Sequence, residues 1–264
     1  MDGMLPAGLG MVTGLLLGLT GAGGGILAAP LLMLFMHLPL AKSAPISLIA
    51  VALGAGLGML IGLRQGIVRY RAAFLIAAAG LLASPFGIHL ATILPNAPLL
   101  LAFSALLAYQ AWRNWQGGAS TAADEMPCQL DGATGQFIWQ RPCALAFVRS
   151  GLAAGFLSGL LGVGGGFILV PALRKYTPLS MQSVAATSLM VLAVVSTGGA
   201  VQWLASTGID WSVGGPFVLG AVTGMAVARG VAPRFSEAPL RRIFSLLCLL
   251  GSFGLVFKVL LGYR

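Results

Sequence analysis

The sequence has little charge of either sign. Only 8% of its 264 residues are Asp, Glu, Lys or Arg, whereas soluble domains carry about 25%. So few charges exclude a soluble enzyme, and a hydrophobic content of 58% excludes a disordered chain. Glycine is abundant instead, with 38 residues, roughly twice its average usage. This composition predicts an all-α, polytopic membrane protein.

Acidic residues are the scarcest charges, since six Asp and Glu face 15 Lys and Arg and leave a net charge of +9. The acids all fall in predicted loops or termini: Asp2, Asp124, Glu125, Asp131, Asp210 and Glu237. The basic residues are scattered between apolar runs, which indicates membrane topology and excludes a nucleic-acid-binding module. Because no carboxylate is expected at membrane depth, a ligand is expected to be an anion and not a cation.

Motifs for catalysis and metal binding are also missing. The three cysteines have no metal-binding spacing, and there are only two histidines. The glycine runs lack the Lys-Ser/Thr of a phosphate-binding loop, and neither G-x-S-x-G nor H-E-x-x-H occurs. We therefore expect no catalytic residue, no metal ligand and no cofactor, and ATP is not expected to be the direct energy source.

The chain contains an internal duplication. A shift of 141 residues places residues 10–32 on residues 151–173, so that a series of spaced glycines and one proline coincide. Two positions related by this shift are called equivalent below. The duplication predicts two related transmembrane repeats, residues 1–115 and 144–264, joined by a polar linker over residues 116–143.

The basic residues change sides between the two repeats. The loop at residues 64–71 contains three arginines, but its equivalent at 206–212 has no basic residue. Residues 92–97 also lack basic residues, whereas the corresponding loop of the second repeat, residues 229–242, carries Arg229, Arg234, Arg241 and Arg242. Under the positive-inside rule the repeats are inserted in opposite orientations, a construction typical of secondary transporters.

The same charge bias places the linker in the cytoplasm. Cys128 and Cys143 both lie in the linker and could pair if it faced an oxidising compartment. On the cytoplasmic side they are expected to be reduced thiols.

Each repeat is expected to begin with a re-entrant hairpin. The crossing count requires residues 144–173 to cross the membrane twice or not at all, and the basic pair Arg174-Lys175 that follows favours a return to the cytoplasm. By symmetry, residues 5–37 form the other hairpin, and about three transmembrane helices complete each repeat. The tips, at residues 21–25 and 162–166, are expected to meet near the middle of the membrane.

The two tips have the sequences Gly-Ala-Gly-Gly-Gly and Gly-Val-Gly-Gly-Gly. Glycine leaves backbone N–H groups uncovered, and the start of the helix after each tip presents free N–H groups with a positive dipole end. Two such helix starts form an anion site without a buried cation. The candidate donors are Gly23, Gly24 and Gly25 of the first tip and Gly164, Gly165 and Gly166 of the second. Alternatively, these glycines only permit close helix packing, as the series Gly10-Gly14-Gly18 and Gly151-Gly155-Gly159 is expected to do.

Three hydroxyl groups are further candidates. Ser47 and Ser188 are equivalent, and Thr187 lies beside the second. Their side chains could donate hydrogen bonds to a bound oxyanion, or they could cap or bond back to their own helices.

The duplicated block Gly-x-Gly-Gly-Gly-x-x-x-x-Pro, at residues 21–30 and 162–171, resembles the TauE/SafE sulfite exporter family, also called the 4-toluene sulfonate uptake permease superfamily. The run Ala-Ala-Thr-Ser-Leu at 185–189 and the turn Gly-Ile-Asp-Trp at 208–211 are similar to that family too. The resemblance implies a secondary transporter of small sulfur-containing or organic anions, such as sulfite, thiosulfate, sulfonates or sulfoacetate, in the bacterial inner membrane.

We expect transport by alternating access, with the repeats rocking about the hairpin tips. The expected partners are a small anionic substrate, the lipid bilayer and a coupling ion such as a proton, while nucleic acid is not expected. The sequence leaves the oligomeric state open. It also leaves two alternatives, an anion channel and a membrane assembly factor that transports nothing.

Overall fold

The computed structural model describes residues 3–21, 23–116, 127–129, 137–231 and 237–261. These residues form ten α-helices and one short 3₁₀ helix, which confirms the all-α prediction. In chain order they are α1 (Met4–Thr20), the 3₁₀ helix (Gly23–Leu27), α2 (Ala28–Phe35), α3 (Leu40–Arg64), α4 (Tyr70–Ile93), α5 (Asn96–Trp115), α6 (Arg141–Leu161), α7 (Gly166–Tyr176), α8 (Met181–Thr207), α9 (Trp211–Val231) and α10 (Glu237–Leu260).

Six helices in the described part of the chain are long and apolar enough to cross a membrane. The spans are Leu40–Arg64, Tyr70–Ile93, Arg141–Leu161, Met181–Ala205, Trp211–Val231 and Arg241–Leu260. The polytopic architecture is therefore confirmed. The set includes α6, the first arm of the predicted second hairpin, and omits α5, which the sequence counts as a span. How deep α6 ends in the membrane stays a prediction.

The helices of both predicted hairpins break at glycines, as the sequence predicts. α1 ends at Gly21 and α6 ends at Gly162, each in the left-handed conformation, with φ of +80° and +67°. Gly164 and Gly165 also have positive φ, at +74° and +67°, before α7 begins. Because side-chain-bearing residues rarely adopt this conformation, glycine is what allows the chain to turn within so few residues.

Spaced glycines bring helices of the two repeats into backbone contact. A Cβ atom on Gly155 of α6 would lie 2.0 Å from the carbonyl oxygen of Gly80 in α4. A Cβ on the equivalent Gly14 of α1 would lie 2.0 Å from the carbonyl oxygen of Ala221 in α9. Gly80 and Ala221 are themselves equivalent, so each repeat packs its first helix on the other repeat in the same way. The packing interpretation of this glycine series is confirmed.

Buried apolar clusters enclose the glycine breaks. One cluster contains Ile26, Phe103 and Val163, and the other contains Val51 and Ala154. The non-helical backbone is therefore surrounded by protein, which is the condition for irregular structure at membrane depth.

Much of the predicted linker, residues 117–126 and 130–136, lies outside the described residues, but its two cysteines are placed. The prediction of two reduced thiols is wrong, because Cys128 and Cys143 form a disulfide. The pairing arises because the Cys128 N–H donates to the Tyr176 carbonyl oxygen at 3.1 Å, which folds the linker back onto the end of α7. Its Cα atom then lies 4.8 Å from that of Cys143 in the first turn of α6, within the range of a disulfide.

Candidate functional site

The two glycine breaks touch each other, as the sequence predicts. A Cβ on Gly25 of the first tip would lie 3.4 Å from the carbonyl oxygen of Val163 in the second tip, so the two tips are in contact. Val51 of α3 packs on both breaks, because Cβ atoms on Gly25 and Gly164 would lie 3.3 and 2.8 Å from its methyl groups. The breaks therefore form one region in the protein interior.

Ser47 joins the second break to α3. Its buried hydroxyl donates to the carbonyl oxygen of Gly162, the residue that ends α6, and lies within 2.9 Å of the Ala44 carbonyl oxygen. Ala44 also lies directly against Gly162, since a Cβ on Gly162 would be 2.4 Å from the Ala44 Cβ. Ser47 thus stabilises the contact between the end of α6 and the first repeat.

Thr187 and Ser188 differ from Ser47 in their partners. The Thr187 hydroxyl accepts a hydrogen bond of 3.1 Å from the N–H of Arg69, the residue that precedes α4. The Ser188 hydroxyl is fully buried and has no hydrogen-bond partner within the described residues. The Ser47 hydroxyl is therefore a donor and the Thr187 hydroxyl an acceptor, while that of Ser188 is neither within the described residues. A role in substrate binding stays a prediction for all three.

The N–H groups of the two breaks are satisfied differently. In the first break the Gly24 N–H donates to the Thr20 hydroxyl at 3.0 Å. The residue equivalent to Thr20 is Leu161, which has no acceptor, and no side chain caps the start of α7 at Gly165. The start of α7 therefore lacks the side-chain partner that the first break has, and its positive dipole end is suited to an anion.

A cavity of about 540 Å³ lies between α5, α6 and α7. Its lining includes three cations, Arg113, Arg149 and Lys175, and the aromatic rings of Tyr109, Trp112 and Tyr176. None of the lining residues is acidic. The cavity extends to Ile168, two residues into α7 from Gly166. One of the cations, Lys175, is in the last turn of α7, so the positive charge of this cavity is concentrated at the end of α7 and not at its start, and it attracts small anions there.

The profile of the family described as "Sulfite exporter TauE/SafE" matches residues 6–255, which is nearly the whole chain. The chain belongs to the TauE/SafE sulfite exporter family. A "probable membrane transporter protein" of Xylella fastidiosa strain 9a5c is 28% identical over 247 residues, covering 91% of this chain and 89% of that protein. The protein of the same description in strain Temecula1 is 27% identical over 249 residues, with the same coverage of 91% and 89%.

A third "probable membrane transporter protein", from Methanocaldococcus jannaschii, is 38% identical over 60 residues, which cover 22% of this chain and 21% of that protein. No solved structure matches the chain. Family membership and six apolar spans make the protein a multi-pass membrane transporter.

In this TauE/SafE family member, two arginines have buried nitrogens that the sequence does not predict. Sequence reasoning assigns Arg69 and Arg229 to loops as markers of topology. In the structure, Nε of Arg69 and both Nε and Nη2 of Arg229 are buried without a hydrogen-bond partner in the described part of the chain. The Arg229 Nη2 atom lies 3.3 Å from the position that a Cβ would take on Gly58 of α3. The absent side chain of Gly58 makes the room for this guanidinium.

Sequence reasoning also misses three hydroxyls. Ser84, Ser158 and Ser196 are fully buried, and their hydroxyls have no hydrogen-bond partner within the described residues. In the sequence each is a single serine in an apolar run, which gives no signal, because such serines commonly bond back to their own helix.

The equivalent pair Ser47 and Ser188 provides a matched test of these contacts. Ser47→Ala leaves the buried Gly162 carbonyl oxygen without its donor, so we expect it to lower the free energy of unfolding by about 1–3 kcal/mol. Ser188→Ala removes a hydroxyl that has no partner, and we expect it to leave the stability unchanged or slightly raised. Unfolding of each purified variant in detergent measures the difference, and equal losses for the two variants would contradict it.

Proposed function

We propose that this TauE/SafE family member is a secondary transporter that carries small sulfur-containing or organic anions by alternating access, and that it is not an enzyme. The observation that carries the proposal is the cavity between α5, α6 and α7, whose lining has three cations and no acid. Membership of a sulfite exporter family supports sulfite, thiosulfate, a sulfonate or sulfoacetate as the substrate.

The buried guanidinium groups support an anion as the transported species. A charged nitrogen that is buried without a partner destabilises the folded protein unless an opposite charge approaches it. Arg69 and Arg229 both present such nitrogens, and a passing anion supplies that opposite charge. A cation as substrate would add to the repulsion, so it is disfavoured.

The reciprocal packing of the two repeats supports an inverted-repeat mechanism. We infer that residues 1–115 and 144–264 are the two repeats and that residues 116–143 link them. α1 packs on α9 and α6 on α4 through equivalent glycines, so each repeat contributes a helix to the other. Rocking of one repeat against the other then moves both breaks together, and access alternates between the two membrane faces.

The substrate site of this proposal lies where the two breaks touch. On the second side, the proposed donors are the N–H groups of Gly164, Gly165 and Gly166 and the hydroxyl of Ser47. On the first side, they are the N–H groups of Gly23, Gly24 and Gly25 and the hydroxyls of Thr187 and Ser188. The Gly24 N–H and the Ser47 hydroxyl bind the substrate only by exchanging their bonds to Thr20 and Gly162. The uncapped start of α7 supports this placement, since anions bind where free N–H groups and a helix dipole coincide. A coupling ion such as a proton completes the transport cycle.

Reconstituted vesicles test the proposed function. We expect uptake of labelled sulfite that saturates with concentration and that is accelerated when unlabelled sulfite is trapped inside, because a carrier returns faster when loaded. Protein-free vesicles and vesicles with heat-denatured protein are the controls. Flux that does not saturate and shows no acceleration would indicate a channel. No flux of sulfite, thiosulfate, sulfoacetate or a simple carboxylate would indicate an assembly factor and refute the proposal.

A further inference from the structure

Two groups can be distinguished among the buried serines, apart from Ser47, Ser183 and Ser252, which have other partners. Ser43, Ser104, Ser150 and Ser245 each donate to a carbonyl oxygen three or four residues earlier in the same helix, at 2.7 to 3.0 Å. Ser84, Ser158, Ser188 and Ser196 have no partner in the described part of the chain. Bonding back to the helix is the ordinary state of a buried serine. The surroundings of these four serines therefore explain why their hydroxyls do not bond back to the helix.

Two of these four serines, Ser196 and Ser158, lie on the parts of α8 and α6 that are close to the second break. Ser196 of α8 points at it, because a Cβ on Gly164 would lie 2.8 Å from the Ser196 hydroxyl oxygen. Ser158 of α6 is one turn after Ala154, whose carbonyl oxygen would lie 2.4 Å from a Cβ on Gly165. Residues four apart share a helix face, so Ser158 is on the side of α6 that meets the break.

Ser84 of α4 lies beside both α6 and α8. Its carbonyl oxygen would lie 2.2 Å from a Cβ on Gly159, the residue after Ser158. Its hydroxyl oxygen would lie 3.6 Å from a Cβ on Gly199 of α8, one turn after Ser196. The unpartnered hydroxyls thus lie on three adjoining helices, and that of Ser196 reaches the second break next to the uncapped start of α7.

The equivalent region at the first break is apolar. The residues equivalent to Ser158, Ser196 and Ser84 are Leu17, Ala55 and Met225. All three are buried, and Leu17 and Met225 border Gly54 of α3. The two repeats share their backbone plan, so the hydroxyl cluster is an addition to the second break and not a requirement of the fold.

Leaving a buried hydroxyl without a partner destabilises the folded protein. Three such hydroxyls on adjoining helices are stabilised when a ligand with acceptor oxygens is bound among them. We propose that Ser84, Ser158 and Ser196 are substrate-binding residues that donate hydrogen bonds to the three oxygens of a sulfite or sulfonate group at the second break. This inference rests on the proposed function and names the donors that select its substrate.

The number of donors decides which anion is preferred. A serine hydroxyl donates one hydrogen bond, so three serines match the three oxygens of a sulfite or sulfonate group. A carboxylate is planar and has two oxygens, so it cannot present a separate oxygen to each of three hydroxyls. A site whose polar groups are poorly matched by a ligand discriminates against that ligand. The hydroxyl cluster is therefore expected to favour sulfonates over carboxylates of the same size and charge.

Methanesulfonate and acetate are suitable probes, because they share the methyl group and the single charge and differ in the oxyanion. Affinities are measured by titration of the purified protein in detergent for the wild type, the variants Ser84→Ala, Ser158→Ala and Ser196→Ala, and the triple variant. We expect the wild type to prefer methanesulfonate. Each single variant is expected to bind methanesulfonate about tenfold more weakly, since one hydrogen bond to a charged group is lost. Acetate binding is expected to weaken less, so the preference collapses in the triple variant.

The control variant is Ser245→Ala, which removes a fully buried serine of α10 that bonds back to Arg241. It is expected to leave both affinities unchanged. Without ligand, the three single variants at the second break are expected to unfold at the wild-type temperature or above it. A merely structural role would instead lower their unfolding temperatures, as we expect for Ser47→Ala.

Wild-type methanesulfonate affinity in all three single variants would overturn the hydroxyl proposal, as would a loss of stability in each of them without ligand. The proposed function is judged separately by sulfite counterflow of the wild-type protein. Counterflow with unchanged affinities in the variants would refute the hydroxyl proposal alone. A wild type that neither binds nor moves any of these anions would refute both.

Discussion

Gly165→Leu is expected to abolish anion transport while the protein still inserts into the membrane. Gly165 has φ of +67°, and a Cβ there would lie 2.4 Å from the Ala154 carbonyl oxygen. A leucine is strained in this conformation by about 1–2 kcal/mol, and its side chain would be driven into α6 or over the uncapped start of α7. Either displacement removes the N–H groups that are proposed to hold the substrate. Sulfite uptake into reconstituted vesicles measures the effect, and membrane extraction with gel filtration verifies insertion.

Gly56→Leu is the matched control for this substitution. Gly56 lies inside α3, and a Cβ there would have nothing within 4 Å. We expect this variant to transport at the wild-type rate. Undiminished uptake by Gly165→Leu would show that the second break does not carry the substrate.

Gly155→Ala is expected to lower the free energy of unfolding more than Ser47→Ala does. Its Cβ would lie 2.0 Å from the Gly80 carbonyl oxygen and 2.4 Å from the Gly80 Cα, so two helix backbones would have to separate. Overpacking of a side chain costs about 1–3 kcal/mol, and displacement of a whole helix pair exceeds that range. We expect little folded protein after extraction, measured as the monodisperse fraction in detergent and by thermal unfolding.

The duplication supplies a second variant and a control for this prediction. Gly14→Ala places a methyl group 2.0 Å from the Ala221 carbonyl oxygen, which is the equivalent contact between α1 and α9. We expect this variant to be destabilised as Gly155→Ala is. Gly215→Ala, in α9 with nothing within 4 Å of its Cβ, is expected to remain folded. Normal stability of Gly155→Ala would mean that α4 and α6 do not touch through their glycines.

The buried arginines change what the net positive charge means. From the sequence, Lys and Arg record only which loops face the cytoplasm, and the substrate is sought at the glycines. Arg229 meets the positive-inside pattern at the end of α9, yet two of its nitrogens are buried against α3. Its place beside Gly58 depends on how α3 packs on α9, and a charge pattern contains no information about that contact. One residue can therefore mark topology and also face a transported anion.

The disulfide is not predicted from the side of the membrane on which the linker is expected to lie. The charge bias concerns which side of the membrane a loop occupies, and the cytoplasmic side predicts free thiols. Whether two cysteines meet is decided by backbone geometry, and in this protein the linker returns to α7 through the bond between the Cys128 N–H and the Tyr176 carbonyl oxygen. That return brings the linker to the start of α6 and the end of α7, the two arms of the predicted second hairpin.

The sequence by itself determined the membrane class, the glycine breaks and the family resemblance. Each of these depends on local composition or on a pattern that repeats along the chain: apolar runs of spanning length, glycines that allow positive φ, and a duplicated block. The tips at residues 21–25 and 162–166 are predictable because glycine is the residue that such a turn requires.

Only the tertiary structure decided which polar groups are still free to bind something. Ser47 has chemistry suited to an oxyanion, but its hydroxyl donates to the Gly162 carbonyl oxygen. Ser84, Ser158 and Ser196 look like ordinary helix serines, yet their hydroxyls have no partner in the described residues, and that of Ser196 lies at the second break. Hydrogen bonding is settled by three-dimensional neighbours, so a sequence that names the donors does not show which of them are unused. The sequence establishes most clearly that charge is scarce. The structure adds that nitrogens of two charged residues, Arg69 and Arg229, are buried where helices of the two predicted repeats meet.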